Sequence, residues 1–403
     1  MTIHFRPAAA VAIAALAVAF NVRAIDGAPQ APAGQQPPVA PKGPLAPEKY
    51  KNIQVLKDLP ADQMDGVMRF MSASLGVHCD FCHVTSETGE WPMEKDDKPH
   101  KKTAREMVTM MNAINAANFD GKMTVNCASC HHGRNEPDKL PPLAVELTPD
   151  QIAAAAARAQ VQAQPPARGA APGTPGGRGG FQRPTETIDQ VIDAWVNALG
   201  GRAALEKLTS RVMRGTVTDR AGQASPITVE EKAPRMVRQS IESKPAPLVL
   251  ATDGTKGWGI AGGTTFDLAE ALQLQDATRL AELTLPLTLK ERYQNLQVAR
   301  YAKLEGKDMI IVNGRSAPTV AEQLFFDKQT GLLARRVIST RTFYGNLPEQ
   351  IDYSDYRDVS GVKVPFQVRR ATWESVLNEK FSDVKVNVPV DDARFAKPAG
   401  AGH

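Results

Sequence analysis

The stretch Met64-Asp-Gly-Val-Met-Arg-Phe-Met-Ser-Ala-Ser-Leu-Gly-Val-His-Cys-Asp-Phe-Cys-His83 sets the character of the N-terminal part of this 403-residue chain. Its first part has helical spacing: Met64, Val67, Met68, Met71 and Leu75 fall on one side of a helix, Pro60 sits where a first turn tolerates proline, and Gly76 is a stop. Its second part ends in Cys79-x-x-Cys82-His83. A second such run, Cys127-Ala-Ser-Cys130-His131, lies downstream, and the two together use all four cysteines. A helix is expected before it too, with Thr103, Met107, Met110 or Met111, and Ile114 on a shared face. The chain therefore carries an internal repeat: a Met-bearing helix, a turn, then C-x-x-C-H.

C-x-x-C-H is the attachment signature of a c-type haem. Each fixed position has a chemical reason: two thiols add to the two vinyl groups, and the adjacent imidazole reaches the iron. The competing reading is a four-thiolate zinc site, which C-x-x-C pairs fit but which has no use for His directly after both pairs. Disulfides within C-x-x-C are strained outside redox enzymes, and a thioredoxin-type centre would hold one motif beside a βαβ pattern. The expectation is two covalently bound c-type haems, held by Cys79, Cys82, Cys127 and Cys130, with His83 and His131 on the irons. A thioether is a soft ligand suited to the second axial position, and His/Met ligation raises the potential relative to His/His. Each preceding helix should carry one Met ligand among others that pack as ordinary core.

The flanking composition divides the chain. Residues 1–24 read as a signal peptide: Arg6 supplies the basic region, Ala8 to Phe20 the apolar one, and Val22-Arg23-Ala24 the cleavage site. The apolar run is short for a membrane span, which leaves a cleaved signal or an uncleaved anchor. Residues 25–47 are a Pro/Ala-rich tether, 48–150 the dihaem unit, 151–185 a low-complexity linker that follows an Ala-rich run, and 186–398 a second folded unit. Each folded unit is long enough for its own core. Export agrees with covalent haem attachment, so the expected address is periplasmic. The net charge of +4 is small for this length and points to no nucleic-acid partner.

From Glu186 the chain opens with an amphipathic helix through Ile188, Val191, Ile192, Trp195 and Leu199, ending at Gly200-Gly201. Strand-like runs follow at 212–218, 227–231, 236–241, 337–342, 351–356, 362–369 and 380–388. Asp253-Gly254, Asn313-Gly314 and the hairpin Phe326–Leu332 read as turns, and a helix near 268–281 interrupts the series. The expected fold is multidomain: a mainly α dihaem cytochrome c domain, then an α+β domain with a curved antiparallel sheet. No Ser/His/Asp set is available there, and Glu230-Glu231 and Asp391-Asp392 read as solvated turns or strand ends.

Two family resemblances are carried by particular residues. Asn52-Ile-Gln-Val-Leu-Lys-Asp58, Met68 to Cys79, Lys102-Thr-Ala-Arg-Glu-Met107-Val-Thr-Met110 and Ile114-Asn115 resemble the cytochrome c subunit of photosynthetic reaction centres over Tyr50 to Pro142. The resemblance implies Met68 and Met107 as distal ligands, with Met71 and Met110 as alternatives. It also implies a redox protein partner, a reaction centre or a respiratory complex. The chain departs from the tetrahaem members: it has two motifs, no lipid-attachment Cys, and no His between Ala116 and Asn126. Ala198-Leu-Gly-Gly-Arg-Ala-Ala-Leu205, Asp327-x-x-Thr-Gly-Leu332 and Asp355-Tyr-Arg-Asp-Val-Ser-Gly-Val362 resemble the periplasmic lipoprotein-carrier (Lol-type) fold, which implies a curved sheet around an apolar cavity that could take lipid or quinone.

Other residues have two readings each. His78, His100 and His132 are replacement distal ligands or surface residues. Lys98, Lys101, Lys102 and Arg105 are a solvated face, a docking patch for an acidic redox partner, or propionate partners, with Arg134 the better propionate partner. Trp91 covers the first haem or fills core. The chain reads as an electron-transfer cytochrome rather than an enzyme. The alternatives are a dihaem peroxidase-type oxidoreductase, which needs an open iron, and a redox-linked lipid or quinone carrier.

Overall fold

The computed structural model describes residues 43–86, 91–137, 184–244, 246–268 and 271–398. The signal peptide, the tether up to residue 42, the end of the haem unit from residue 138 and the linker to residue 183, with its Ala-rich run, lie outside the described residues. Among the described residues no helix is long and apolar enough to cross a membrane.

The N-terminal part is helical. Helix α1 (Met64–Leu75) continues a 3-10 turn at Ala61–Gln63 and stops at Gly76, whose φ of +66° is left-handed. Helix α2 (Pro99–Asn118) starts on a proline, as its fixed φ favours. Helix α3 (Cys127–His131) is the second C-x-x-C-H itself. Val67 and Phe70 of α1 pack with Val108 and Met111 of α2, Ala46 and Leu59.

The C-terminal part is one antiparallel sheet of thirteen strands. The first half is β1 (Ser210–Thr218), β2 (Ala224–Lys232), β3 (Met236–Ile241), β4 (Leu248–Thr252), β5 (Gly257–Ala261) and β6 (Thr264–Asp267). The second half is β7 (Gln294–Leu304), β8 (Lys307–Ala317), β9 (Val320–Asp327), β10 (Leu333–Arg341), β11 (Asn346–Val359), β12 (Val362–Ala371) and β13 (Val376–Val386). The spatial order runs from β6 to β1, then from β13 to β7, so two meanders meet at the β1–β13 pair. Helices α5 (Ala271–Arg279) and α6 (Leu285–Arg292) occur where the chain passes from one outer edge to the other. Helix α6 packs with α4 (Ile188–Ala198), which is begun by a Thr187/Gln190 capping box, and α5 packs on β3 and β4. Strand β9 alternates strictly between buried and half-buried residues, the period-2 pattern of a sheet with one covered face. Its Phe326 meets Trp195 of α4 edge-on, ring centres 5.3 Å apart.

Two expectations are corrected here. Asn313-Gly314 is not a turn: both residues lie within β8, and a side chain at 314 would strike Leu296 and Tyr293, so glycine serves close packing. Glu230 and Glu231 are not solvated. Both are buried in β2, Glu231 paired with Arg211 at 2.5 Å and Glu230 with Arg394 at 2.8 Å and Arg238 at 3.1 Å. Around Glu231 lies a cleft lined on its polar side by Arg211, Glu282, Arg370 and Glu379 and on its apolar side by Met213, Val229, Val368 and Phe381, with about 20 Å³ free, room for one water.

The helices do not bury a core alone: Tyr344 and Leu347, at the β10–β11 turn and the start of β11, are buried in the same cluster, and Trp373 of the β12–β13 turn packs against it. Arg69 of α1 pairs with Asp276 of α5 at 2.7 Å, and Arg279 reaches Glu349 at 3.1 Å. A short helical unit buries a small fraction of its surface, and the sheet supplies what is missing.

Candidate haem-attachment site

The second motif is built by its own sequence. Asn126 Oδ1 accepts from Ser129 N at 3.2 Å, and Asn126 N donates to Ser129 Oγ at 3.1 Å. This capping box turns Cys-Ala-Ser-Cys-His into a helix, placing Cys127 on one face with Cys130 and His131. His132, at φ +49°, ends the helix rather than facing an iron. The His131 Nδ1 lies 2.9 Å from the Arg134 carbonyl, its hydrogen-bond acceptor, which leaves Nε2 free for a metal.

The approach to this motif is held by Asn115, buried on α2. Its Nδ2 donates to the carbonyls of Met111 at 3.1 Å and Val125 at 2.7 Å, and its Oδ1 accepts from the amides of Thr124 at 3.0 Å and Val125 at 2.9 Å. Asn115→Ala strands three loop groups and should cost about 1–3 kcal/mol. Thermal unfolding of N115A should show this loss, together with reduced haem retention at the second motif alone; equal loss at both motifs would contradict the local role.

The first motif forms a 3-10 turn at Cys79–Phe81, closed by His83 N donating to the Cys79 carbonyl at 2.9 Å. Three of the four basic residues near this motif bind groups of the same loop, and Lys102 is exposed. Lys98 Nζ donates to the Asp80 carbonyl, Lys101 to the Met93 carbonyl at 2.8 Å, and Arg105 pairs with Asp96 at 2.8 Å. Arg105, with Asn52 and Lys101, holds the Asp96 carboxyl far below the usual range. His100 stacks on Phe81, ring centres 4.0 Å apart, and His78 faces Glu374 at 3.6 Å. Trp91 is 41% exposed and fills no core.

The donor set fits haem. His83 is half-buried with Nδ1 lacking any hydrogen-bond partner, and burial, reinforced by Lys101 and Arg105, lowers its pKa toward the neutral, ligating form. All four cysteines are free of disulfides, as addition to a vinyl group requires, and burial pushes the Cys82 and Cys127 thiols up. Among the described residues no three Cys, His, Asp or Glu side chains converge as a metal site of that donor set requires.

The methionines divide. On α2 the buried face is Val108, Met111 and Asn115, while Met107 and Met110 are 39% and 47% exposed, with no packing role. On α1 Met68 and Met71 are partly buried against the Phe70 core, so packing already occupies them in part. The ends of the repeat units meet: Gly133 N, beyond His131, donates to the Ser74 carbonyl at 2.8 Å, and a Cβ on Gly76 would overlap the Gly133 oxygen. Helix α1, which leads into the first motif, thus packs on the second. Sequence reasoning missed Asn115 and this crossing. The Asn126-x-x-Ser129 box was a legible signal; Asn115 had none beyond its place in the resemblance.

Residues 13–170 match the family described as photosynthetic reaction centre cytochrome C subunit. The chain is 34% identical over 116 residues to the photosynthetic reaction center cytochrome c subunit of Roseobacter denitrificans, covering 26% of this chain and 30% of that protein. It is 36% identical over 104 residues to the protein of the same name from Thermochromatium tepidum, covering 24% and 23%. The chain thus spans less than a third of these curated relatives. Among solved structures, it is similar to a LolA superfamily protein of Nitrosomonas europaea, with 12% identity and a TM-score of 0.38, covering 53% of this chain and 99% of that one. A DUF1329 family protein of Desulfovibrio piger matches with 12% identity and a TM-score of 0.39, covering 53% and 98%. The N-terminal region therefore resembles a reaction-centre cytochrome c subunit, a family that implies covalently bound c-type haem.

Proposed function

We propose that this chain is a periplasmic dihaem c-type cytochrome that carries electrons, resembling half of a tetrahaem reaction-centre subunit. The observation that carries the reading is the pair of C-x-x-C-H motifs, packed end to end through Ser74, Gly76 and Gly133, within the region that matches the reaction-centre family. Cys79, Cys82, Cys127 and Cys130 would hold the two groups by thioether bonds, with His83 and His131 as axial donors. Bound there, haem supplies a one-electron Fe(III)/Fe(II) couple. The chain's own part is to orient His131 through the Arg134 carbonyl and to bring the two motifs close. Met68 and Met107 are the proposed distal ligands, with Met71 and Met110 as alternatives; the unexplained exposure of Met107 and Met110 supports a ligand on that face of α2.

Haem quantitation tests this. The exported protein should carry two haems, and C79S/C82S or C127S/C130S should each leave one. Both irons should be low-spin. Met107→Ala or Met110→Ala, whichever removes the ligand, should abolish one Met-to-iron absorption in the oxidised protein. A wild-type protein with one haem, zinc, or a high-spin iron that turns over peroxide would reject the electron-carrier reading. Fractionation should find the chain in the periplasm, and co-purification identifies its partner, a reaction centre or a respiratory complex. The sheet is proposed as a platform for the cytochrome, because its Tyr344 and Leu347 are buried in one cluster with Val67, Phe70, Val108 and Met111; a lipid or quinone held by the sheet is the alternative role.

A further inference from the structure

We infer that the β10–β11 hairpin end, Thr342 to Gly345, is part of the second haem site, with Tyr344 as a positioning residue that walls off Cys127 and holds the motif helix through Asn126. This rests on haem attachment at Cys127 and Cys130 as proposed above.

A hairpin that only reverses the chain leaves its tip in water. This one is closed by Thr342 N donating to the Gly345 carbonyl at 2.7 Å, and it places Phe343 outward and Tyr344 inward, 2% exposed. Tyr344 lies in the cluster formed by Val67, Phe70, Val108 and Met111, and Cys127 and Ala128 pack against that cluster. Gly345 permits the approach, because a side chain there would overlap the Phe70 ring. The Asn126 side chain does two tasks. Its Oδ1 caps the motif helix at Ser129, and its Nδ2 donates to the Tyr344 carbonyl at 3.1 Å. The hairpin therefore sets both the surroundings of the first sulfur and the start of the helix that carries it.

A group attached at Cys127 would have its edge on this apolar wall. An apolar, water-excluding wall disfavours the more highly charged oxidised state and raises the potential. Opening the wall should lower the potential of one haem and leave the other in place.

The test uses the full-length chain and three variants. Before haem attachment, alkylation of Cys127 and Cys79 is followed by peptide mass spectrometry; after attachment, both haems are titrated. Tyr344→Ala should make Cys127 react about tenfold faster, as local opening does, with Cys79 unchanged and one midpoint lowered. Tyr344→Phe, which keeps the ring, should match wild type in both. Asn126→Asp keeps the capping oxygen but loses the amide donor, and should speed Cys127 several-fold while the protein stays folded. Unchanged Cys127 reactivity in Y344A, or in N126D should Y344A not fold, overturns the inference, as does an equal shift of both midpoints. A wild-type protein without haem at Cys127 would refute the haem reading, and the alkylation comparison would still decide the hairpin contact.

Discussion

Replacing Arg336 with methionine should destabilise the protein by about 3–5 kcal/mol at neutral pH, the cost of leaving a buried charge without its partner. Arg336 is fully buried on β10. Its Nη2 lies 2.9 Å from Glu322 of β9 and its Nη1 2.6 Å from Glu282. Tyr293 donates to Glu322 at 2.8 Å, Ser316 to Glu322 at 2.5 Å, and Tyr353 to Glu282 at 2.5 Å. Burial alone would push the Glu322 carboxyl up, but Arg336, with help from Ser316, Arg279 and Tyr293, outweighs it and holds the group below its ordinary value. The pH dependence follows. A depressed carboxyl contributes stability above its unfolded pKa and loses it as pH falls through the folded one. In R336M the largest lowering influence is gone, burial raises the pKa, and acid relieves the variant by protonating Glu322. The gap between wild type and R336M, measured by urea unfolding, should be widest near neutrality and narrow as the solution is acidified below the glutamate range. A gap under about 1 kcal/mol at neutral pH, or one that widens in acid, would show that Glu322 does not depend on Arg336.

Gly76→Ala should have the next largest effect, about 2–4 kcal/mol, from two sources. A left-handed φ of +66° costs an alanine its usual penalty, and the new Cβ would overlap the Gly133 carbonyl oxygen, a backbone atom that cannot rotate away. Relief requires the ends of α1 and α3 to separate, and with them the two motifs. Gly133→Ala is the internal comparison. Its φ is +80°, yet its Cβ would meet nothing within 4 Å, so it should lose only the conformational part, about 1 kcal/mol. Thermal unfolding ranks the two. In the haem-loaded protein, G76A should also change both midpoints, because the contact joins both sites. Equal effects of G76A and G133A would mean that the close crossing contributes nothing.

Much of the local structure was legible. The intervals before Cys79 place a helix that ends at Gly76, and the structure has it over Met64–Leu75. The alternation in the C-terminal part predicts strands, and Met236–Ile241 is one of thirteen. These signals are short-range: helix period, strand period, and glycine where φ is positive. The Glu230-Glu231 pair misled because burial of a charge depends on arginines from other strands and from the C-terminal turn. The partners of Lys98, Lys101 and Arg105 were hidden for the same reason, since they are carbonyls and Asp96 on a folded-back loop. Near Met107 the sequence offered a face shared with Ile114, but the face that packs is Val108, Met111 and Asn115, which exposes Met107 and Met110.

The sequence by itself carried the signature of attachment. Cys, Cys and His at fixed local spacing point to a thioether-linked haem, and the signature is legible because all the reacting groups lie within five consecutive residues. Only the tertiary structure decided what surrounds them. It placed α1 against the second motif, and it brought Tyr344 to Asn126 across 218 residues of chain. No periodicity encodes such a contact, because it depends on a strand hairpin and a helix being stable together.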